Sequence, residues 1–168
     1  MVKILGLDPG LRRTGWGVVL VEGNALTHVA AGVVCSSDSE DLATRLAQLH
    51  RGVREVIDLW LPDQAAIEET FVNKNPNSTL KLGQARGAVM LAASLSGLPV
   101  AEYTPNAVKK AVVGTGHADK DQVGMMVRTL LGGAKVNQAD AADALAVAIC
   151  HAHHRGTRDR VLAGVMVQ

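Results

Sequence analysis

At 168 residues, 48% hydrophobic and 20% charged, the chain is long enough to bury a substantial core and is expected to form one globular domain over residues 1–168. Two cysteines are too few for a disulfide scaffold, no secretory signal opens the chain, and the longest apolar stretch, 88–101, is broken by Ser94, Ser96, Gly97 and Pro99. The expectation is a cytoplasmic protein with no membrane association. The net charge of +1 hides an asymmetry: residues 36–70 hold eight acids and three bases, whereas 72–137 carry +5, which fits either a polyanion partner or a solvated mixed-charge surface.

The first elements read as three strands at short intervals: Lys3–Asp8, Gly15–Glu22 and Leu26–Cys35, the last two joined by the turn signal Gly23-Asn24. Asp38–Trp60 reads as a helix, with Ser39 as its cap and Leu42, Leu46, Leu49, Val53 and Ile57 at spacings of three and four. Gln64–Glu69 is a short strand, Phe71–Thr79 a polar loop, Thr79–Ser96 a helix and Val100–Tyr103 a fifth strand. Thr104–Val113, Asp119–Leu131 and Asn137–His151 read as helices; from about residue 155 the chain shows no pattern and is expected to be a flexible tail. This order implies an α/β fold with a five-stranded mixed sheet flanked by helices.

Asp8 ends the first strand, and Glu68 and Glu69 end the fourth. Taking a lone carboxylate out of water is costly unless something pairs with it. Asp140 and Asp143 are three residues apart, hence on one side of the last helix, among alanines small enough to let that helix approach a sheet. Three elements can thus deliver Asp8, Glu68, Asp140 and Asp143 to one place. Such a cluster persists as anions only when cations neutralise it, and all-oxygen ligands favour Mg²⁺ or Mn²⁺. Two such ions about 4 Å apart serve in-line phosphodiester cleavage. Each signal has a plainer alternative. Asp-Pro-Gly after a strand is often only a turn, and an acid at a helix N-terminus suits the dipole whatever its function. Glu69, beside Glu68, should face the opposite side of its strand.

The stretches ILGLDPGLRRTGWGVV, AAIEETFVNKNPNSTLKLGQARGAVMLAA, VVGTGHADKDQV and MVRTLLGGAKVNQADAADALAVAICHAH, in this order, resemble the RuvC family of crossover junction endodeoxyribonucleases, the Holliday junction resolvases. The resemblance implies a ribonuclease H-like fold, a homodimer and Mg²⁺-dependent paired nicking of four-way DNA junctions, with RuvA–RuvB as a partner complex. The family's four acids fall on Asp8, Glu68, Asp140 and Asp143, both as catalytic residues and as metal ligands, for two ions per active site. Its junction-stacking aromatic falls on Phe71, which adjoins an Asn-rich loop with Lys74, a place that suits a stacking wedge or a side chain folded into the core. Lys109 and Lys120 match basic positions near the scissile backbone, and Lys81, Lys110 and Arg86 are candidates for further phosphate contacts. The helix Thr79–Ser96, with Gly83 and Gly87 among alanines, is the expected dimer contact; close packing on its own sheet is the alternative. The run Cys150-His151-Ala152-His153-His154 resembles a zinc tract, but zinc sites usually draw ligands from separated segments.

Two other functions fit parts of the pattern. One is a junction-binding module without catalysis, which the full set of acids disfavours. The other is an ATP-binding phosphotransferase of the sugar-kinase kind, which the missing second half and missing Gly-rich adenosine motif disfavour.

Overall fold

The computed structural model describes residues 1–70 and 75–165, with side chains as far as Arg155; Phe71 and Lys74 lie outside the described residues. The first three strands, β1 (Val2–Asp8), β2 (Arg13–Glu22) and β3 (Ala25–Cys35), form an antiparallel meander. The β2–β3 turn uses Gly23 at φ +59°, a region that glycine occupies without steric cost. Helix α1 (Leu42–Trp60) carries the chain to β4 (Gln64–Glu68), which pairs parallel with β1. Helix α2 (Pro76–Leu95) leads to β5 (Val100–Tyr103), parallel to β4, and then come α3 (Pro105–Val113), α4 (Lys120–Leu130) and α5 (Ala139–Val165). The sheet order β3-β2-β1-β4-β5 is the expected five-stranded mixed sheet.

Side chains alternate across a strand, so one face of β1 carries Ile4, Gly6 and Asp8 and the other carries Leu5 and Leu7. Leu5, Leu7, Ala65 and Ile67 join a core beneath α1 and α2, with Leu49, Val53, Ala85 and Val89. Ile4 and Ala66 join the opposite core, built with α3, α4 and α5 from Val108, Val127, Leu145 and Ile149. Asp8 continues the Ile4–Gly6 face and Glu68 continues the Ala66 face. Period-two geometry alone therefore turns both acids toward α5.

Helix α5 lies directly on β1 and β2 because glycines clear its path. A β-carbon on Gly6 would overlap the Ala144 carbonyl, and one on Gly17 would run into Leu145. The alanine-rich face of α5, with Ala141, Ala144 and Ala148 buried, is the other half of that close approach.

Three helix boundaries differ most from expectation. Asp41, not Ser39, caps α1: its carboxylate accepts from the Thr44 backbone N–H at 3.0 Å, so Glu40 and Asp41 stand before the first turn. Helix α2 begins at Pro76 instead of Thr79, because Asn75 caps it and proline suits a first-turn position. Helix α5 continues to Val165 instead of ending at His151. The stretch beyond Arg155 lacks an amphipathic stripe, yet it contains no proline to stop a helix already running.

Candidate active site

The parallel register pairs Leu7 with Ile67, so Asp8 and Glu68, the next residues along, stand at the adjacent carboxyl ends of β1 and β4. Between them and α5 is a pocket of about 290 Å³, lined by Asp8, Glu68, Lys109, Lys120 and Asp143 with Pro105, Val108, Val123 and Ala146. Five elements thus supply three carboxylates and two ammonium groups to one cleft at the strand ends, where open α/β sheets place their ligands.

Burial and crowding dominate the electrostatics. Asp8 is pushed up to about 8, first by its burial and then by the charges of Glu68, Asp143 and Asp140. Glu68 is also raised, by burial and then by Asp143, against the opposing pull of its hydrogen bond with Asp8 and of Lys120 and Lys109. Lys120 is held more firmly protonated, chiefly by Asp143, whose Oδ2 lies 3.4 Å from its Nζ. These carboxylates are costly as anions, and cations relieve that cost.

The other expected site residues are more dispersed. Asp140 is not among the pocket's lining residues; its Oδ2 accepts from Arg13 Nε at 2.7 Å. Lys81 is exposed on α2 and Lys110 is exposed on α3. Arg86 is only 18% exposed, donates from Nε to the Glu68 carbonyl at 3.0 Å, and forms an ion pair with Glu102. That bond ties α2 to the strand end carrying Glu68, a supporting role that sequence reasoning missed. In the sequence Arg13 reads only as a cation in the turn after Asp8, a phosphate contact or a solvated charge; its reach to α5 follows from the strand face it shares with Gly15, a signal legible only once β2 is known to begin at Arg13.

In the histidine run, the His151 ring bridges the Tyr103 hydroxyl, at 2.8 Å, and Gln64 Oε1, at 3.0 Å. His153 bonds the Ala111 carbonyl, and His154 stacks on Tyr103. The Cys150 Sγ, buried, points at the Ala107 carbonyl. These contacts bind α5 to α3, β4 and β5.

The pocket's acidic donors, Asp8, Glu68 and Asp143, are all oxygen ligands, the chemistry of a hard divalent cation. Among the described residues no group of three or more His, Cys, Asp or Glu side chains is already gathered in metal-holding geometry. Asp8, Glu68 and Asp143 line one pocket without forming such a group.

A mixed sheet in this order, with acids at the ends of β1 and β4 under a C-terminal helix carrying a third, defines a ribonuclease H-like protein with a nuclease-type acidic cleft. A family model describing Crossover junction endodeoxyribonuclease RuvC matches residues 4–151, and the chain belongs to that family. It is 69% identical over 154 residues to Crossover junction endodeoxyribonuclease RuvC of Rhodospirillum rubrum, covering 92% of this chain and 91% of that one. It is 62% identical over 164 residues to the protein of that name in Paramagnetospirillum magneticum, covering 98% and 99%. The structure of T. thermophilus RuvC in complex with Holliday junction substrate superposes with a TM-score of 0.87 at 37% identity, covering 94% of this chain and 96% of that one. The yeast mitochondrial Holliday junction resolvase shares the fold, with a TM-score of 0.66 at 9% identity over 97% of this chain and 85% of that one.

Proposed function

We propose that the protein is a structure-selective endodeoxyribonuclease that resolves four-way DNA junctions in recombination and repair by paired, symmetric, metal-dependent nicks. The observation that carries this reading is the gathering of Asp8, Glu68 and Asp143 from three separate elements into one cleft with Lys109 and Lys120. The junction-bound T. thermophilus relative supports the substrate class.

Asp8, Glu68 and Asp143, joined by Asp140, are the residues that would hold Mg²⁺ or Mn²⁺, with two ions per active site. Such ions supply Lewis-acid polarisation of the scissile phosphate and a lowered pKa for the attacking water. The chain's own part is positional. Lys109, from α3, and Lys120, from α4, offer ammonium groups to the phosphate. Lys81 presents an exposed cation for backbone contacts that orient DNA without reading sequence. Phe71 and Lys74 complete the interface as stacking wedge and phosphate contact. Arg86 serves it indirectly, by holding the Glu68 backbone.

Two such sites on one two-fold axis match the symmetry of a four-way junction. Helix α2 supports a homodimer: Leu80, Gly83, Gly87, Leu91 and Leu95 recur at helical spacing, and the three leucines are exposed. A β-carbon on Gly83 or Gly87 would meet nothing within 4 Å, so the protomer's own packing does not require these glycines. They cost the helix about 1 kcal/mol each relative to alanine, a cost that close approach of a second helix explains. The RuvA–RuvB complex is the expected partner, and the cytoplasm the expected compartment. Among the described residues no helix is long and apolar enough to cross a membrane. The whole chain is read as one nuclease domain, since both cores share one sheet.

The direct test offers the wild-type protein a fluorescent four-way junction and a linear duplex of the same sequence, with Mg²⁺ and with chelator. Symmetric nicks in the junction alone, only with Mg²⁺, are expected. Binding without cleavage under every metal condition would favour a non-catalytic junction-binding module, and ATP binding by calorimetry would favour the phosphotransferase.

A further inference from the structure

Of the four acids, Asp140 alone is engaged outside the pocket, and its partner is a residue with no role in the reading above. Strand alternation puts Arg13, Gly15 and Gly17 on one face of β2, the face on which α5 lies. Gly15 has no side chain and abuts the Asp140 backbone; Gly17 abuts Leu145. Arg13, at the open end of the same row, reaches the first turn of α5, and its Nε donates to Asp140 Oδ2 at 2.7 Å. The two side chains are 48% and 35% exposed, so the pair is in contact with solvent and can exchange partners.

The second pair in this region behaves differently. Lys120 lines the pocket itself, and its bond to Asp143 leaves that carboxylate inside. Asp140 instead accepts from Arg13 on β2 and does not line the pocket, although its charge is still felt at Asp8 and at Lys120. The Asp140 backbone is seated on Gly15, so the position of its carboxylate is set by the side chain and by the partner it bonds.

We propose that Arg13 is a positioning residue that competes with a divalent cation for the Asp140 carboxylate, and so sets the cation concentration at which the site fills. This rests on the metal-dependent reading of the pocket. Exposed ion pairs contribute roughly 0.2–1 kcal/mol, so releasing Asp140 should tighten cation binding by about 1.4- to five-fold.

The test is calorimetric titration of the full-length, DNA-free protein with Mn²⁺, which reads binding and not catalysis. Arg13→Ala is expected to bind Mn²⁺ about 1.4- to five-fold more tightly than wild type, and Arg13→Lys to return toward the wild-type value. Arg12→Ala is the charge control: Arg12 pairs with Asp38 at 3.0 Å, so its loss removes the same charge one residue away and should leave the affinity unchanged. In an Asp140→Asn background, Arg13→Ala should have no effect. Unchanged or weaker binding in Arg13→Ala overturns the proposal, as does equal tightening in Arg12→Ala or in the Asp140→Asn background. Failure of the wild type to bind Mn²⁺ overturns the metal reading and this proposal together, whereas the preceding outcomes overturn this one alone.

Discussion

Gly15 of β2 and Asp140 of α5 touch backbone to backbone: a β-carbon on Gly15 would overlap the Asp140 carbonyl oxygen. The first turn of α5 has no room to retreat without pulling Ala141 and Ala144 out of the core. Gly15→Ala is therefore expected to cost about 1–3 kcal/mol, the range for overpacking a close contact, and to lower the thermal midpoint by several degrees. An unchanged midpoint by calorimetry would mean that α5 is not seated on β2 as described.

Asp8 carries a stability signature of its own. Its folded pKa is about 8 against an ordinary 3.8, raised by burial first and then by the neighbouring acids. The unfolded chain gives up this proton near pH 4 while the folded chain keeps it, so the metal-free protein loses stability as pH rises from about 4 to about 8. Asp8→Asn has no proton to lose. With chelator present, it should be more stable than wild type by a few kcal/mol at pH 8, and the difference should shrink to almost nothing at pH 4. A variant less stable than wild type at pH 8 would contradict the buried, crowded setting assigned to Asp8.

The two thiols should separate cleanly. Cys35 is exposed on the edge strand, whereas Cys150 is buried and its thiol is pushed up to about 12 by that burial. The thiolate is the reactive form. A disulfide exchange reagent at pH 8 should label Cys35 promptly and Cys150 only after denaturant is added. Rapid labelling of both would place α5 away from α3.

If α2 is the dimer contact, charge on its small-residue stripe should separate the protomers. Gly87→Glu leaves the protomer's own packing intact, since nothing lies within 4 Å of an added β-carbon. Light scattering should then report a monomer with near-native circular dichroism. A persistent dimer would move the contact to another face.

The acidic cleft was legible in the sequence because it follows from short-range geometry. Strand alternation fixes the face of Asp8 relative to Ile4 and of Glu68 relative to Ala66, and the alanines around Asp143 announce a helix that can approach a sheet. What escaped depends on contacts between residues distant in sequence. Asp140 and Asp143 share a helix side by their spacing, yet Arg13, 127 residues from Asp140, draws one of them elsewhere. Arg86 looked like a phosphate contact because it is basic and on a helix beside the site; its partners, Glu102 and the Glu68 carbonyl, belong to the sheet that the helix covers. The continuation of α5 to Val165 had no apolar period to announce it.

The measurement that bears most directly on the account is junction binding and cleavage by Asp8→Asn, Glu68→Gln and Asp143→Asn, read in one assay across Mg²⁺ concentrations. Each variant should bind the four-way junction about as well as wild type and cut it at least about a hundred-fold more slowly, as expected when a group acting in the transition state is removed. Cleavage at the wild-type rate by any of the three would contradict the assignment of this cleft as the active site.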